Sequence, residues 1–171
     1  MAHPHPQPLP HSGRGETESH DPLRPHSHDP NPAPPGNSPN FILTLPNGRQ
    51  QTLTPDDLRQ LPQTTILGCF IVSTGHGTTG PFAFTGVTLA DFVRHYWAGE
   101  WQQAEVISAD GFGTRLSVGE VSGSTVRPIL LAYAIDGQPM ERAAGLVRLI
   151  VPSETDDALK QVKWVGKVRI L

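Results

Sequence analysis

The alternation of apolar and polar positions along the chain predicts a domain built mainly of short strands. Residues 41–45 and 49–53 are two such segments, and Pro46-Asn47-Gly48 between them is typical of a β-hairpin turn. Residues 64–74 are apolar on both alternating faces, which predicts a central strand buried on both sides. A glycine-rich loop is predicted to follow at residues 75–81.

Short helices are predicted where capping signals precede apolar residues. Thr54-Pro55-Asp56-Asp57 combines an N-cap threonine, a first-turn proline and two acids. Residues 88–97 carry apolar side chains at helical spacing, and Thr88 with Asp91 resembles a capping box. The Ser-x-x-Glu pattern of residues 117–120 predicts a cap for one further helical turn.

The second half of the chain is richer in strand patterns than the first. Apolar segments bounded by turn residues predict five more strands, at residues 104–108, 112–118, 129–135, 146–151 and 162–170. The predicted class is therefore α+β: a mixed, strand-rich twisted sheet with two or three short helices. We expect the 64–74 strand inside this sheet and the 88–97 helix packed on one of its faces.

The first 40 residues differ in composition from the rest of the chain. They contain eleven of the 18 prolines and six of the eight histidines, but only two leucines. So little apolar surface predicts a disordered His/Pro-rich tail at residues 1–40, ahead of one domain at residues 41–171. The histidines fit either weak binding of a divalent metal or a solvated tail.

Charge, hydropathy and cysteine content narrow the classes of partner and location. A formal net charge of -3 and a pI of about 6.2 give no reason to expect a nucleic acid partner. No run of 18 apolar residues occurs, so no membrane span is expected. No signal peptide is visible, which makes the cytoplasm the expected location. Cys69 is the only cysteine, so an intrachain disulfide is excluded.

The residues alone indicate three candidate sites, each with a structural alternative. Cys69 is either a reactive thiol or a small apolar residue of the strand that contains it. The glycines of residues 75–80 either direct backbone N–H groups at an anion or serve a tight connection. Lys160 and Lys163 belong to a basic segment that fits either an anion site or a solvated strand face.

The order of short motifs between residues 52 and 171 adds a further indication. The motifs are Leu58-Arg59-Gln60-Leu61-Pro62, Phe84-Thr85-Gly86-Val87-Thr88-Leu89, Ser108-Ala109-Asp110-Gly111-Phe112, Leu130-Leu131-Ala132-Tyr133, Asp136-Gly137-Gln138-Pro139-Met140, Gly145-Leu146-Val147-Arg148-Leu149-Ile150-Val151-Pro152, and Lys160 with Val162-Lys163-Trp164-Val165. In this order they resemble the molybdopterin-binding domain of the sulfite oxidase family. The resemblance covers nearly all of the predicted domain.

The resemblance implies a role for each candidate site. A cysteine at this position of the family gives its thiolate to molybdenum, and the pterin dithiolene supplies further sulfurs, so Cys69 is the implied metal ligand. Lys160 and Lys163 become candidate contacts to the pterin phosphate. The loop after the cysteine is implied to line the cofactor, with the candidate contacts Gly75, His76, Gly77 and Thr78.

The implied function is that of a molybdopterin-dependent oxidoreductase. It would transfer an oxo group on a small-molecule substrate, with His76 as the candidate for proton transfer and an external electron-transfer partner. Sulfite is not the expected substrate, since no Arg or Lys occurs between Arg59 and Arg94. Cys69 is expected at the floor of a concavity formed with residues 75–80. The alternative is a non-catalytic relative that binds a ligand or partner without molybdenum.

Overall fold

The computed structural model describes residues 36–73, 77–123, 125–154 and 160–171. Its first elements are β1 (Phe41–Thr44) and β2 (Gln50–Leu53), which pair antiparallel and confirm the predicted hairpin. α1 (Pro55–Arg59) follows at once. Its N-cap Thr54 accepts a hydrogen bond from the Asp57 N–H, and the Asp57 carboxylate accepts one from the Thr54 N–H. This reciprocal pair is a capping box, so local residues fix the helix start.

The strands divide between two sheets, a division that the sequence pattern did not predict. The first sheet has the order β2-β1-β10-β5-β6, with β5 (Gln103–Ser108), β6 (Gly113–Ser117) and β10 (Val165–Ile170). β1 and β10 run parallel and the other pairs run antiparallel, so this sheet is mixed.

The second sheet carries the predicted cysteine strand. Its order is β3-β4-β7-β8, with β3 (Thr64–Ser73), β4 (Gly77–Thr88), β7 (Leu130–Ile135) and β8 (Gln138–Pro139). β9 (Arg148–Ile150) also pairs with β7. All of these pairs are antiparallel. The strand-rich α+β class predicted from the sequence is confirmed.

The remaining helices are short and amphipathic. α2 (Leu89–Tyr96) begins after Thr88, whose hydroxyl accepts a hydrogen bond from the Asp91 N–H. α3 (Val118–Gly123) begins after Ser117, which exchanges hydrogen bonds with Glu120 as the sequence predicts. A 3₁₀ turn occupies Arg142–Ala144. At eight residues, α2 is the longest helix in the described part of the chain, and none there could cross a membrane.

Apolar side chains fill both faces of the second sheet. On the inner face, Leu131 and Leu149 join the large cluster that also buries α2 through Phe92. On the outer face, Leu130 and Ile150 join a smaller cluster with Cys69. We call these the inner cluster and the outer cluster. The side chains of β7 alternate between the two clusters, which explains why β7 has a continuous apolar sequence.

The prediction of β3 as a central strand is wrong. Among the described residues β3 pairs only with β4 and therefore forms the edge of its sheet. The pairing register shifts between Ile66 and Cys69, where Gly68 has a φ of 66°. This bulge turns both Ile66 and Cys69 inward and leaves Leu67 68% exposed. Residues 77–81, predicted as a loop, instead belong to β4.

Candidate functional site

Cys69 lies in the outer cluster with none of its surface exposed. Its Sγ donates a weak hydrogen bond of 3.6 Å to the Ile66 carbonyl, and Phe84 and Leu130 belong to the same cluster. Burial raises the pKa of the Cys69 thiol above its ordinary value, and the positive charge of Arg127 acts in the opposite direction. In this structure Cys69 is therefore a covered thiol, whereas the sequence predicts it at the floor of an opening.

Arg127 is the functional candidate that sequence reasoning missed. Its guanidinium donates to the carbonyls of Leu67 at 2.9 Å and Gly68 at 3.2 Å, and one of its nitrogens lies 3.9 Å from the Cys69 sulfur. The lack of Arg and Lys between Arg59 and Arg94 concerns only positions close to the cysteine along the chain. Arg127 is 58 residues away along the chain, and no local motif marks it.

A cavity of about 280 Å³ lies beside Arg127. Arg127 lines it together with Glu120, Glu154 and Lys160. The Lys160 ammonium is paired with the Glu120 carboxylate, and the Lys160 backbone N–H donates to the Glu154 carboxylate at 3.0 Å. The formal charges of these four side chains cancel. Lys160, a predicted contact to the pterin phosphate, thus lines the same cavity as Arg127 and already has an acidic partner.

Lys163 belongs to a separate group of positive charges. Its Nζ lies 4.1 Å from the centre of the Trp164 ring, and the Arg142 guanidinium lies 6.0 Å from that ring. Burial lowers the pKa of Lys163, and the nearby charge of Arg148 lowers it further. Asp110 acts in the opposite direction. We call Arg142, Arg148 and Lys163 the cation cluster.

Arg148 is the buried member of the cation cluster. Only 7% of its surface is exposed, and burial lowers its pKa to about 10. One guanidinium nitrogen donates to the Ala144 carbonyl at 2.7 Å, while Nε is buried with no hydrogen-bond partner among the described residues. Arg148 and Ile150 share a strand face, so Arg148 lies on the outer face of the second sheet, as Cys69 does.

Gln161, in the C-terminal segment of residues 160–171, contacts the cysteine strand. It is a second residue that sequence reasoning missed. The Gln161 side-chain amide donates a hydrogen bond of 3.2 Å to the carbonyl of Phe70, the residue that follows Cys69. Its Oε1 is buried and has no partner within the described ranges. A buried acceptor without a donor costs free energy, which marks this position as suited to a ligand N–H group.

Two of the predicted cofactor contacts, Gly77 and Thr78, lie away from Cys69 along β4. Gly77 pairs with Ser73 and Thr78 pairs with Val72, several positions beyond the cysteine. Gly75 and His76 lie outside the described residues. Gly80 lies against the cysteine backbone: a Cβ there would lie 2.8 Å from the Cys69 carbonyl oxygen, so only glycine fits.

Known proteins identify the family of this fold. Residues 40–171 match the family described as the oxidoreductase molybdopterin binding domain. The chain belongs to this family. The resemblance drawn from the sequence motifs is thereby confirmed.

A solved structure has the same fold. It is the crystal structure of the sulfane dehydrogenase SoxCD from Paracoccus pantotrophus, with a TM-score of 0.60 and 22% sequence identity. The match covers 77% of this chain and 37% of that chain, so the domain spans well under half of that protein chain. No curated protein sequence matches significantly.

The donor set fits the cofactor that the family name implies. Within the described ranges no three His, Cys, Asp or Glu side chains gather to hold a metal ion, so protein ligands alone do not form a metal site there. Cys69 offers one soft sulfur. Gln161 Oε1 and Arg148 Nε are an unpaired buried acceptor and donor, and the cation cluster is suited to a phosphate.

Proposed function

We propose that this domain binds a molybdenum-molybdopterin cofactor through Cys69 and acts as an oxidoreductase that transfers an oxo group on a small substrate. The observation that carries this proposal is the contact between Cys69 and Arg127, 3.9 Å apart, in a domain of the molybdopterin-binding family. Cys69 is the only thiol of the chain, and a positive charge beside it stabilises the thiolate that a soft metal requires.

The protein's part in the reaction is to hold and orient the cofactor. Cys69 would ligate the metal, Gln161 would accept from a pterin N–H, and Arg148 with Lys163 would bind the phosphate. The cofactor supplies two-electron oxo-transfer chemistry when bound. In the oxidative direction the substrate gains an oxygen from water and releases two protons and two electrons. An external electron-transfer partner then takes the electrons.

The cavity beside Arg127 favours a small substrate without net negative charge. Arg127 and Lys160 supply two positive charges, and Glu120 and Glu154 supply two negative ones, so no excess positive charge would hold an oxyanion. Sulfite therefore remains disfavoured, although a positive charge does lie next to the cysteine. His76 remains the proposed proton carrier.

The second candidate function is that of a non-catalytic relative that binds another ligand or partner. The complete burial of Cys69 favours it, because a thiol with raised pKa and no exposed surface behaves as a small apolar residue. The unpaired polar atoms and the cation cluster would then serve a different anionic ligand.

Metal content and visible absorption distinguish the two candidates. The wild type should be expressed in a host that makes the cofactor, beside Cys69→Ser, which replaces the soft sulfur with a hard hydroxyl. We expect about one molybdenum per wild-type chain, visible thiolate-to-metal absorption bands, and loss of both in the variant. A 100-fold or greater fall in oxidoreductase activity should accompany that loss.

The opposite result is equally clear. Wild-type protein that contains no molybdenum and is colourless, with a variant that only melts at a lower temperature, would assign Cys69 to packing. A buried serine in place of the thiol costs on the order of 1–3 kcal/mol. Thermal melts of both proteins provide the control for folding.

A further inference from the structure

The inward orientation of Cys69 depends on the bulge in β3. In a regular strand, residues three positions apart point to opposite faces, yet Ile66 and Cys69 are both buried in the outer cluster. The bulge adds one extra residue to β3 between Ile66 and Cys69, so both side chains point to the same face. Within it, Leu67 and Gly68 have no partner in the β3–β4 register. The side chain of Leu67 points into solvent as a result.

The bulge leaves backbone carbonyls without ladder partners, and Arg127 binds them. Nη1 of Arg127 donates to Leu67 O, and Nη2 donates to Gly68 O. The same Nη2 lies 3.9 Å from the Cys69 sulfur. One planar guanidinium therefore contacts three consecutive residues of the cysteine strand.

We propose that Arg127 is a positioning residue for Cys69: it clamps the Leu67–Gly68 bulge and so holds the sulfur at the face of the sheet where the metal would bind. This inference deepens the proposed function, because it assigns a residue to the site of the cysteine ligand. The clamp itself is a property of the protein chain and can be tested without the cofactor.

The chemistry of the side chain suits this role. A guanidinium is planar and carries N–H donors in a fixed fork, so it reaches two carbonyls at once. Lysine offers one nitrogen and would reach fewer of these acceptors. Alanine would leave both carbonyls to water and would free the bulge to rearrange.

The first experiment measures how fast iodoacetamide alkylates Cys69 in cofactor-free protein under native conditions. Since Cys69 is the only cysteine, the signal is unambiguous. We expect Arg127→Ala to raise the alkylation rate about tenfold, because the variant loses the two hydrogen bonds that oppose local opening of the bulge. Arg127→Lys should give an intermediate rate, and both variants should melt within about 3 °C of the wild type.

Arg94→Ala is the matched control. Arg94 is also a surface arginine with a short contact, to Asp91, but it lies on α2 and makes no described contact with β3. Its rate should equal that of the wild type. If Arg127→Ala is alkylated no faster than Arg94→Ala, the clamp does not exist and the inference is wrong.

The second experiment measures the thiolate-to-metal absorption band of molybdenum-loaded protein, whose position does not depend on the stability of the fold. Arg127→Lys should retain the metal, with its thiolate-to-metal absorption band shifted because the charge near the sulfur has moved. An unshifted band in both Arg127 variants would contradict a positioning role at the sulfur. If wild-type protein carries no molybdenum, the proposed function fails, while the alkylation rates still decide the clamp.

Discussion

The inner and outer clusters lie on opposite faces of the same sheet and differ in size and content. In the described part of the chain the inner cluster buries 24 apolar residues, and the outer cluster buries seven, one of which is Cys69. The outer face also carries Arg148, a buried charge without an acidic partner among the described ion pairs.

The regularity of strand pairing also differs between the two clusters. The β1–β2 and β5–β6 pairs keep an unbroken register and the β5–β10 pair has one shift, whereas β3 shifts register against β4 on both sides of Cys69. Shifts and unpaired buried groups cost stability and tend to persist at functional sites. The inner face therefore supplies most of the buried apolar packing, and the outer face carries the candidate chemistry.

Matched phenylalanine substitutions give the largest expected effect. Phe92 of the inner cluster and Phe84 of the outer cluster are both fully buried. Either change to alanine should lower the free energy of unfolding by about 3–5 kcal/mol, measured by urea denaturation. Only Phe84→Ala should also expose Cys69 to alkylation in folded protein, because Phe84 packs in its cluster. Equal alkylation of both variants below the unfolding transition would remove the distinction between the clusters.

Replacing the buried arginine should have a smaller effect and the opposite sign. Arg148→Met removes a desolvated charge, so the cofactor-free domain should be about 1–3 kcal/mol more stable at pH 7. The gain should shrink above pH 10. There the folded wild type releases the Arg148 proton while the unfolded chain still binds it, so wild-type stability rises with pH.

Urea denaturation of both proteins at pH 7 and near pH 10.5 provides this measurement. A loss of stability in Arg148→Met at pH 7 would mean that the bond to the Ala144 carbonyl outweighs the cost of the buried charge. Arg148 would then be a structural residue, and the proposed phosphate site would rest on Lys163 and Arg142.

The smallest expected effect is the difference in cofactor retention between variants of Lys160 and of Lys163. Lys163→Ala removes a member of the cation cluster and should weaken retention of the cofactor about tenfold. Lys160→Ala should change it less than about threefold, since Glu120 already pairs with that ammonium. Molybdenum retained after gel filtration measures both. A larger loss in Lys160→Ala would place the phosphate at the cavity beside Arg127 instead.

Features that depend on residues a few positions apart could be predicted from the sequence. Thr54 with Asp57 and Ser117 with Glu120 form their capping pairs as predicted, because donor and acceptor are separated by three residues. The hairpin at Asn47-Gly48 and the apolar face of α2 follow from equally short patterns. The family resemblance likewise rested on the order of local motifs.

The surroundings of Cys69, in contrast, depend on contacts between residues that are far apart in the chain. The apolar run of β3 looked central, yet β3 is an edge strand, because a bulge changes which side chains face inward and alternation cannot show it. Arg127 reaches Cys69 across 58 residues, and Gln161 reaches Phe70 across 91. Such contacts form only when the sheets assemble. Their partners are brought together by packing and charge in the folded domain and leave no pattern among neighbouring residues.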